Sequence, residues 1–309
     1  MGPLRVGVVG AGVFGGYHAQ KAAASARTEL IGVCDIDLER ASRIAGSFGA
    51  RGYDDFDRLV ADCDAVVVAV PATYHAGLVA RALAADRHVL VEKPLALDGK
   101  SARALAGEAV TRGKVLQVGH QERFVAKAMG ILAIEEVPLR LESVRAGPPP
   151  ANNRAGDVSV IWDLMIHDLD LAACLIGREF TSVAASGHRE TTDHLDEAIA
   201  EFEFVAGSSA WLKASRAQSA RERTMKVVYP SGEIAVDFLT RQVTNTTPYP
   251  VKVDISAELP DPLGAADESF FAACLGEMQS QVPGHGAVAA VAMAEAAEEA
   301  ARATAARNE

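Results

Sequence analysis

The chain lacks most of the features that would remove it from the ordinary globular class. It has four cysteines in 309 residues, Cys34, Cys63, Cys174 and Cys274, far apart and in no CxxC or Cys/His spacing. That excludes a disulfide framework or zinc ribbon and predicts buried, reduced thiols. No apolar run approaches the about 18 residues that a membrane span needs. The first such run, Leu4–Val9, is too short for a secretory leader and meets glycines at once. Positive charge is scarce: 30 Lys and Arg stand against 41 Asp and Glu, for a formal charge of −11. A phosphate backbone wants a basic face and an anionic bilayer repels an acidic one, so neither nucleic acid nor membrane is an expected partner. A cytoplasmic enzyme fits these absences.

What the chain does have is length and apolar content for two domains: 309 residues with 49% hydrophobic and 23% charged. From Leu4 to Gly119 short apolar runs alternate with Ala-rich helical stretches. The runs are Leu4–Val9, Leu30–Cys34, Ala65–Val70, His88–Val91 and Val115–Val118. The intervening helices read as Gly16–Ala26, Leu38–Phe48, Ala76–Ala85 and Lys100–Arg112. Strand–helix alternation predicts an α/β, doubly wound parallel sheet over residues 1–120. After Phe124 the texture changes. One apolar helix, Val160–Ile176, precedes period-two strands at Ala198–Phe204, Ala210–Ser215, Met225–Tyr229 and Glu233–Phe238, with turns at Ala206-Gly207 and Ser231-Gly232. Helices return at Asp267–Gln279 and Ala287–Ala303. Residues 121–309 therefore read as an α+β domain with an open, mainly antiparallel sheet. The Pro148-Pro149-Pro150 run and the Ala/Glu-rich tail carry no assigned function.

Gly10-Ala11-Gly12-Val13-Phe14-Gly15 directly follows the first strand and opens a helix. Gly10 permits a tight turn, Gly12 lets the backbone approach a pyrophosphate, and Gly15 lets helix and strand pack closely. The helix start at Val13 and Phe14 offers free N–H groups and a positive dipole end to phosphates. Asp35 follows Gly15 by 20 residues at the end of the second strand. A carboxylate there accepts from ribose hydroxyls and repels a 2′-phosphate, which favours NAD over NADP. The bland alternative is a glycine turn with a capping Asp, and Asp37 competes for the ribose. Val70-Pro71-Ala72-Thr73-Tyr74-His75 closes the fourth run beside the expected cofactor cleft. Pro71 either simply ends a strand or places Val70, Thr73 and His75 near the nicotinamide ribose.

Two places carry candidate chemistry. Glu92-Lys93-Pro94 follows an interior strand. There Lys93 either pairs with a carboxylate for structure or presents its ammonium to the oxygen of a reacting alcohol. Asp163-Leu-Met-Ile-His167 is the second place. At 100° per residue Asp163, His167 and Asp170 share one face of an otherwise apolar helix. Such a stripe is costly unless it lines a cleft or is fully paired. His167 can take a hydroxyl proton near neutral pH, with Asp163 orienting it or binding substrate. A satisfied core histidine and a metal site are the other readings. A hydride-transfer enzyme with a lysine in reach needs no Lewis acid, so no metal is predicted. Asp168 faces the apolar side and answers to a backbone N–H or an arginine.

The order GAGVFG, Asp35, VAVPATYH, VEKPLA, VGHQERF and WDLMIHDLDL resembles the glucose–fructose oxidoreductase/inositol dehydrogenase/MocA family over essentially the whole chain. EKP paired with DxxxH is more telling than the glycine loop. The resemblance implies an NAD-dependent oxidoreductase acting on a sugar-like secondary alcohol, with Lys93, Asp163 and His167 as the catalytic set. It also implies a Lys93–Pro94 bond that is often cis, Glu92, Lys93 and Gln121 near the cofactor, and a homodimer or homotetramer through the second sheet. Relatives distribute the proton-accepting role between Lys93 and His167 differently. Many carry Asn-Arg-Arg-Phe where this chain has Gln121-Glu122-Arg123-Phe124. That departure speaks against polyol-dehydrogenase specificity, and VGHQERF with DLMIHDLD resembles the branch acting on nucleotide-activated amino sugars, the UDP-N-acetylglucosamine 3-dehydrogenase-like branch. Arg123 then meets either substrate or a structural carboxylate. An anionic substrate sits awkwardly with −11, so a local cluster drawn from Arg123, Arg145, Arg154 and Lys213 is needed. A non-catalytic NAD or sugar sensor and an NAD-using glycosidase are the rival readings on the same fold.

Overall fold

The structure is a computed structural model describing residues 2–149, 156–205 and 207–308. The chain begins with β1 (Leu4–Val9), α1 (Val13–Ala24), β2 (Thr28–Cys34), α2 (Leu38–Gly46), β3 (Arg51–Tyr53), α3 (Phe56–Asp62), β4 (Ala65–Val68), α4 (His75–Ala84), β5 (His88–Val91), α5 (Gly99–Thr111) and β6 (Leu116–Val118). Their strands form one sheet in the order β3-β2-β1-β4-β5-β6, every pairing parallel. β4 reads Ala-Val-Val-Val with all four residues buried, as a strand covered on both faces must be. Aspartates start the helices: Asp37, Asp55 and Asp98 each accept a hydrogen bond from the backbone N–H three residues on. β3 and α3 were not expected from the sequence, because a three-residue strand beginning Arg-Gly carries no apolar run.

The next stretch comprises α6 (Glu122–Met129), β7 (Arg140–Ala146), a π-helical turn Ile161–Met165 leading into α7 (Ile166–Leu175), then β8 (Phe180–His188), β9 (Glu197–Phe204), β10 (Ser209–Ser215), β11 (Glu222–Tyr229), β12 (Gly232–Asp237) and β13 (Gln242–Asn245). Seven strands pair in the order β13-β12-β11-β7-β10-β9-β8. All pairings are antiparallel except β7 with β10. The expected fold class, a doubly wound parallel sheet followed by a mainly antiparallel α+β domain, is what forms. The Ser231-Gly232 turn joins β11 to β12, with Gly232 at φ 149°. Of the Ala206-Gly207 turn, Ala206 lies outside the described residues, as does Pro150 of the proline run. The expected single helix Val160–Ile176 is corrected: its first turn is π, with the Ile166 N–H bonded five residues back to the Ile161 carbonyl.

Two further helices follow, α8 (Pro262–Cys274) and α9 (Gly284–Asn308). They correct the expected boundary between 1–120 and 121–309. One unit is Met1–Gln121 with Asp261–Val288; the other is Glu122–Pro260 with Ala289–Glu309. The physical reason lies in side chains that a linear reading cannot assign. Phe270 and Phe271 of α8 are fully buried in one cluster with Val6, Val8, Val67 and Leu90. The Gln117 amide donates to the Ala266 carbonyl at 2.8 Å and accepts from the Ser280 hydroxyl at 2.7 Å. The thiols also depart from expectation: Cys34 and Cys63 are buried, but Cys174 is exposed and Cys274 only half-buried. Among the described residues no helix is long and apolar enough to cross a membrane.

Because Phe270 is wholly enclosed in the first unit's core, Phe270→Ala is expected to cost about 3–5 kcal/mol through lost burial and a residual cavity. Chemical denaturation read by tryptophan-independent circular dichroism checks this; a loss below about 1 kcal/mol would place α8 outside that core.

Candidate active site

In the first unit all strands run the same way, so the segments after β1, β2, β4 and β5 emerge at one edge of the sheet. The glycine loop occupies the first. Gly10 has φ 101°, and a side chain on it would overlap the Ala69 carbonyl and press on Val70. A Cβ on Gly15 would collide with the Gly10 carbonyl, so α1 packs tightly on its own loop. Gly12 differs: its φ is −79°, and a side chain there meets no protein atom within 4 Å. Nothing in the protein's packing calls for glycine at 12, whereas the approach of a pyrophosphate does. Val13 and Phe14 open α1, Val13 exposed and Phe14 half-buried with its ring edge toward Tyr17.

Asp35 reaches this loop from the end of β2. Its carboxylate accepts from the Ala11 amide at 2.6 Å, the Asp37 amide at 3.0 Å and the Arg40 guanidinium at 2.6 Å. Burial pushes the Asp35 pKa up, but these donors outweigh it and lower the pKa overall. The competing Asp37 is a helix cap, accepting from the Arg40 amide at 3.0 Å.

After β4, Val70 lies against Gly10, and Thr73 is exposed on a short 3₁₀ turn. His75 is buried. Its Nδ1 lies 2.6 Å from the Pro94 carbonyl oxygen and its Nε2 2.9 Å from that of Val70. Burial lowers its pKa, and the two carbonyls resist. Each ring nitrogen faces a backbone carbonyl oxygen, and the one N–H of a neutral imidazole can be given to only one of them, so His75 sits buried against the backbone of two loops. Lys93 is half-buried and follows Glu92, whose amide bonds the Val68 carbonyl; the Lys93–Pro94 peptide is cis. Glu92 in turn accepts from His18 Nε2 at 3.2 Å, while His18 Nδ1 lies 2.9 Å from Asp267. Burial would strip the His18 proton, but the two carboxylates raise its pKa to about 10. Gln121 closes the unit in a turn, its amide bonded to the Gly119 carbonyl.

In the second unit, His167 Nδ1 lies 2.7 Å from the Glu122 carboxylate. Glu122 also accepts from Arg145 at 2.9 Å, and Arg145 makes two 3.0 Å bonds to Asp168. Burial would raise the Glu122 pKa, but His167 and Arg145 hold it well below the usual range. An anionic Glu122 accepts from Nδ1–H, so whenever the His167 imidazole is neutral its lone pair sits on Nε2. Sequence reasoning missed Glu122: nothing local links it to a histidine 45 positions away. The arginine alternative for Asp168 holds. Arg123 makes two bonds to Asp170, at 2.6 and 2.5 Å, so its guanidinium serves a structural carboxylate and the substrate contact is not supported. Asp163 sits in the π turn, half-buried, four residues before His167. The expected basic cluster does not assemble either. Arg123 and Arg145 are committed to carboxylates, Lys213 lies 3.6 Å from Glu197, and Arg154 is outside the described residues.

The strand order, the glycine loop and the ionised carboxylate ending β2 define a dinucleotide-binding α/β enzyme. More narrowly, the chain belongs to the GFO/IDH/MocA oxidoreductase family. Residues 4–120 match its model described as "Oxidoreductase family, NAD-binding Rossmann fold" and residues 139–235 match "GFO/IDH/MocA C-terminal domain". The chain is 40% identical over 238 residues to the UDP-N-acetylglucosamine 3-dehydrogenase of Acidithiobacillus ferrooxidans, covering 76% of this chain and 74% of that one. It is also similar to a solved structure of that organism's UDP-N-acetylglucosamine 3-dehydrogenase GnnA, with TM-score 0.88, 34% identity and coverage of 98% and 99%. GenD2 from gentamicin A biosynthesis, solved in complex with NAD, is similar at TM-score 0.84 and 26% identity, covering 100% of this chain and 96% of that one.

The contrast between the glycines is testable. Gly12→Val is expected to leave the melting temperature nearly unchanged and to weaken NAD binding about tenfold or more, whereas Gly15→Ala should destabilise the fold itself. Thermal unfolding beside calorimetric NAD titration separates the two; tight NAD binding by Gly12→Val would remove the loop from the cofactor site.

Proposed function

We propose that the chain is an NAD-dependent dehydrogenase acting on a secondary alcohol carbon of a nucleotide-activated amino sugar, in the manner of a UDP-N-acetylglucosamine 3-dehydrogenase. The observation that carries this reading is the Glu122–His167 hydrogen bond, which prepares an imidazole to accept a proton in an NAD-binding family. The substrate class is supported by the 40% identity to a UDP-N-acetylglucosamine 3-dehydrogenase. NAD⁺, when bound, supplies the hydride acceptor. His167 Nε2 receives the hydroxyl proton as the carbon–hydrogen bond breaks, and Glu122 stabilises the resulting imidazolium. Lys93, at the rim of the first unit, is the second group assigned to the chemistry, since an ammonium offsets negative charge growing on an alcohol oxygen. Asp163 holds the substrate. Asp35 accepts from the adenosine ribose and disfavours a 2′-phosphate, which makes NAD the preferred coenzyme over NADP. The enzyme acts in the cytoplasm as a homodimer or homotetramer through the open face of the second sheet.

Incubating the protein with NAD⁺ and a panel of UDP-sugars, free sugars and polyols, with NADH absorbance as readout, tests the reading. Accumulation of NADH with UDP-N-acetylglucosamine is expected. Binding without NADH would indicate a sensor, and glycoside cleavage without net NADH an NAD-using glycosidase. Lys93→Met and His167→Ala should each cut kcat by about 10² or more while NAD affinity stays near wild type. Full activity in either variant takes that residue off the mechanism.

The coenzyme preference has its own test. Removing the carboxylate in Asp35→Ala also releases the Arg40 guanidinium now bonded to it. NAD affinity should fall and NADP affinity rise, narrowing their ratio by about tenfold or more. An unchanged ratio in fluorescence titrations would mean another residue reads the ribose.

A further inference from the structure

The nucleotide-sugar reading needs cationic groups for a diphosphate, and the arginines expected to supply them are already committed to carboxylates. The structure offers others. In the β7–β11 pairing, Arg223 stands directly opposite Arg145. Like charges at opposed positions of an antiparallel pair repel, and burial sharpens the effect. Arg145 is wholly buried and neutralised by Asp168 and Glu122. Arg223 is half-buried, and among the described residues no carboxylate lies within ion-pair distance of it. Arg221, two residues earlier and exposed, immediately precedes β11, its chain packed beside Gly147. Burial lowers the Arg223 pKa, as do Arg145 and Arg221, while Glu122 and Asp168 oppose without cancelling. Three guanidinium groups thus face two carboxylates, leaving local positive charge in a chain of formal charge −11.

We propose that Arg221 and Arg223, backed by Arg145, form the subsite that takes the diphosphate of the nucleotide-activated substrate. The proposal rests on the nucleotide-sugar reading above. A guanidinium presents a planar fork of donors that fits phosphate oxygens two at a time, and it keeps its charge when desolvated. The position suits the chemistry. Arg145 and His167 share Glu122 as hydrogen-bond partner, so the subsite adjoins the proton acceptor within one unit. A diphosphate supplies the missing counter-charge, and the repulsion carried by the ligand-free protein becomes binding energy when the anion arrives.

The test compares wild type, Arg223→Met and Arg221→Met with saturating NAD⁺. In Arg223→Met the KM for UDP-N-acetylglucosamine should rise about 10- to 100-fold, with the loss falling on KM rather than kcat, and UDP measured by calorimetry should weaken in parallel. Arg221→Met, at an exposed position where folding is not at risk, should show the same direction with a smaller factor. Without ligand, Arg223→Met should melt no lower than wild type, because it removes a like-charge pair; a purely structural arginine would lower the melting point. UDP should raise the melting temperature of wild type and not of Arg223→Met. Unaltered UDP affinity in both variants, or no UDP binding by wild type, overturns the subsite. UDP binding lost in the variants while wild type turns over no UDP-N-acetylglucosamine would instead sink the dehydrogenase reading and leave the subsite standing.

Discussion

A parallel sheet delivers the carboxyl ends of all its strands to one edge, and the chemistry of the first unit depends on that constraint. The glycine loop after β1, Asp35 after β2, Val70 and Thr73 after β4 and Glu92-Lys93 after β5 are scattered through some ninety residues, yet they end at a common rim. Two buried imidazoles stiffen that rim. His75 ties the loop after β4 to the carbonyl of Pro94, and His18 ties α1 and α8 to Glu92. Lys93 therefore stands between two anchored neighbours.

The second unit solves a different problem, that of burying charge. Arg145, Asp168 and Asp170 are almost inaccessible, and Arg123 and Glu122 nearly so. An isolated ion in such surroundings costs several kcal/mol, and a partner recovers that only with good geometry. Here each guanidinium meets a carboxylate through two hydrogen bonds, and Glu122 is shared between Arg145 and His167. The arrangement gives Glu122 reason to stay ionised and His167 reason to hold one tautomer. The π turn just before His167 adds a residue to one helical turn without breaking the helix.

Much of this was readable from residues in a row. Apolar runs at Leu4–Val9 and His88–Val91 coincide with β1 and β5 to the residue, because the interior positions of a strand covered on both faces are apolar, with Arg5 and His88 confined to the strand starts. Of the second sheet, β9 to β12 were legible by their alternation, whereas β8 and β13 were not. Short or polar elements were not: β3 has three residues, the inward positions of β7 include Ser143 and Arg145, α6 begins with charged residues, and the π turn has the composition of the α-helix it interrupts. Phe270 and Phe271 announced burial but not which core received them.

The sequence by itself determined the class, the family and the glycine loop with its carboxylate, and it singled out Lys93 and His167 as candidates, since local spacing and residue type suffice to mark a strand–turn–helix and a titratable side chain in an apolar setting. Only the tertiary structure decided who partners whom. It gave Glu122 to His167, Asp170 to Arg123, Asp168 to Arg145 and Asp267 to His18, and it returned residues 261–288 to the first unit. The reason is that a buried charge is satisfied by whatever the packing of distant segments brings within hydrogen-bond reach, and no local pattern encodes that distance.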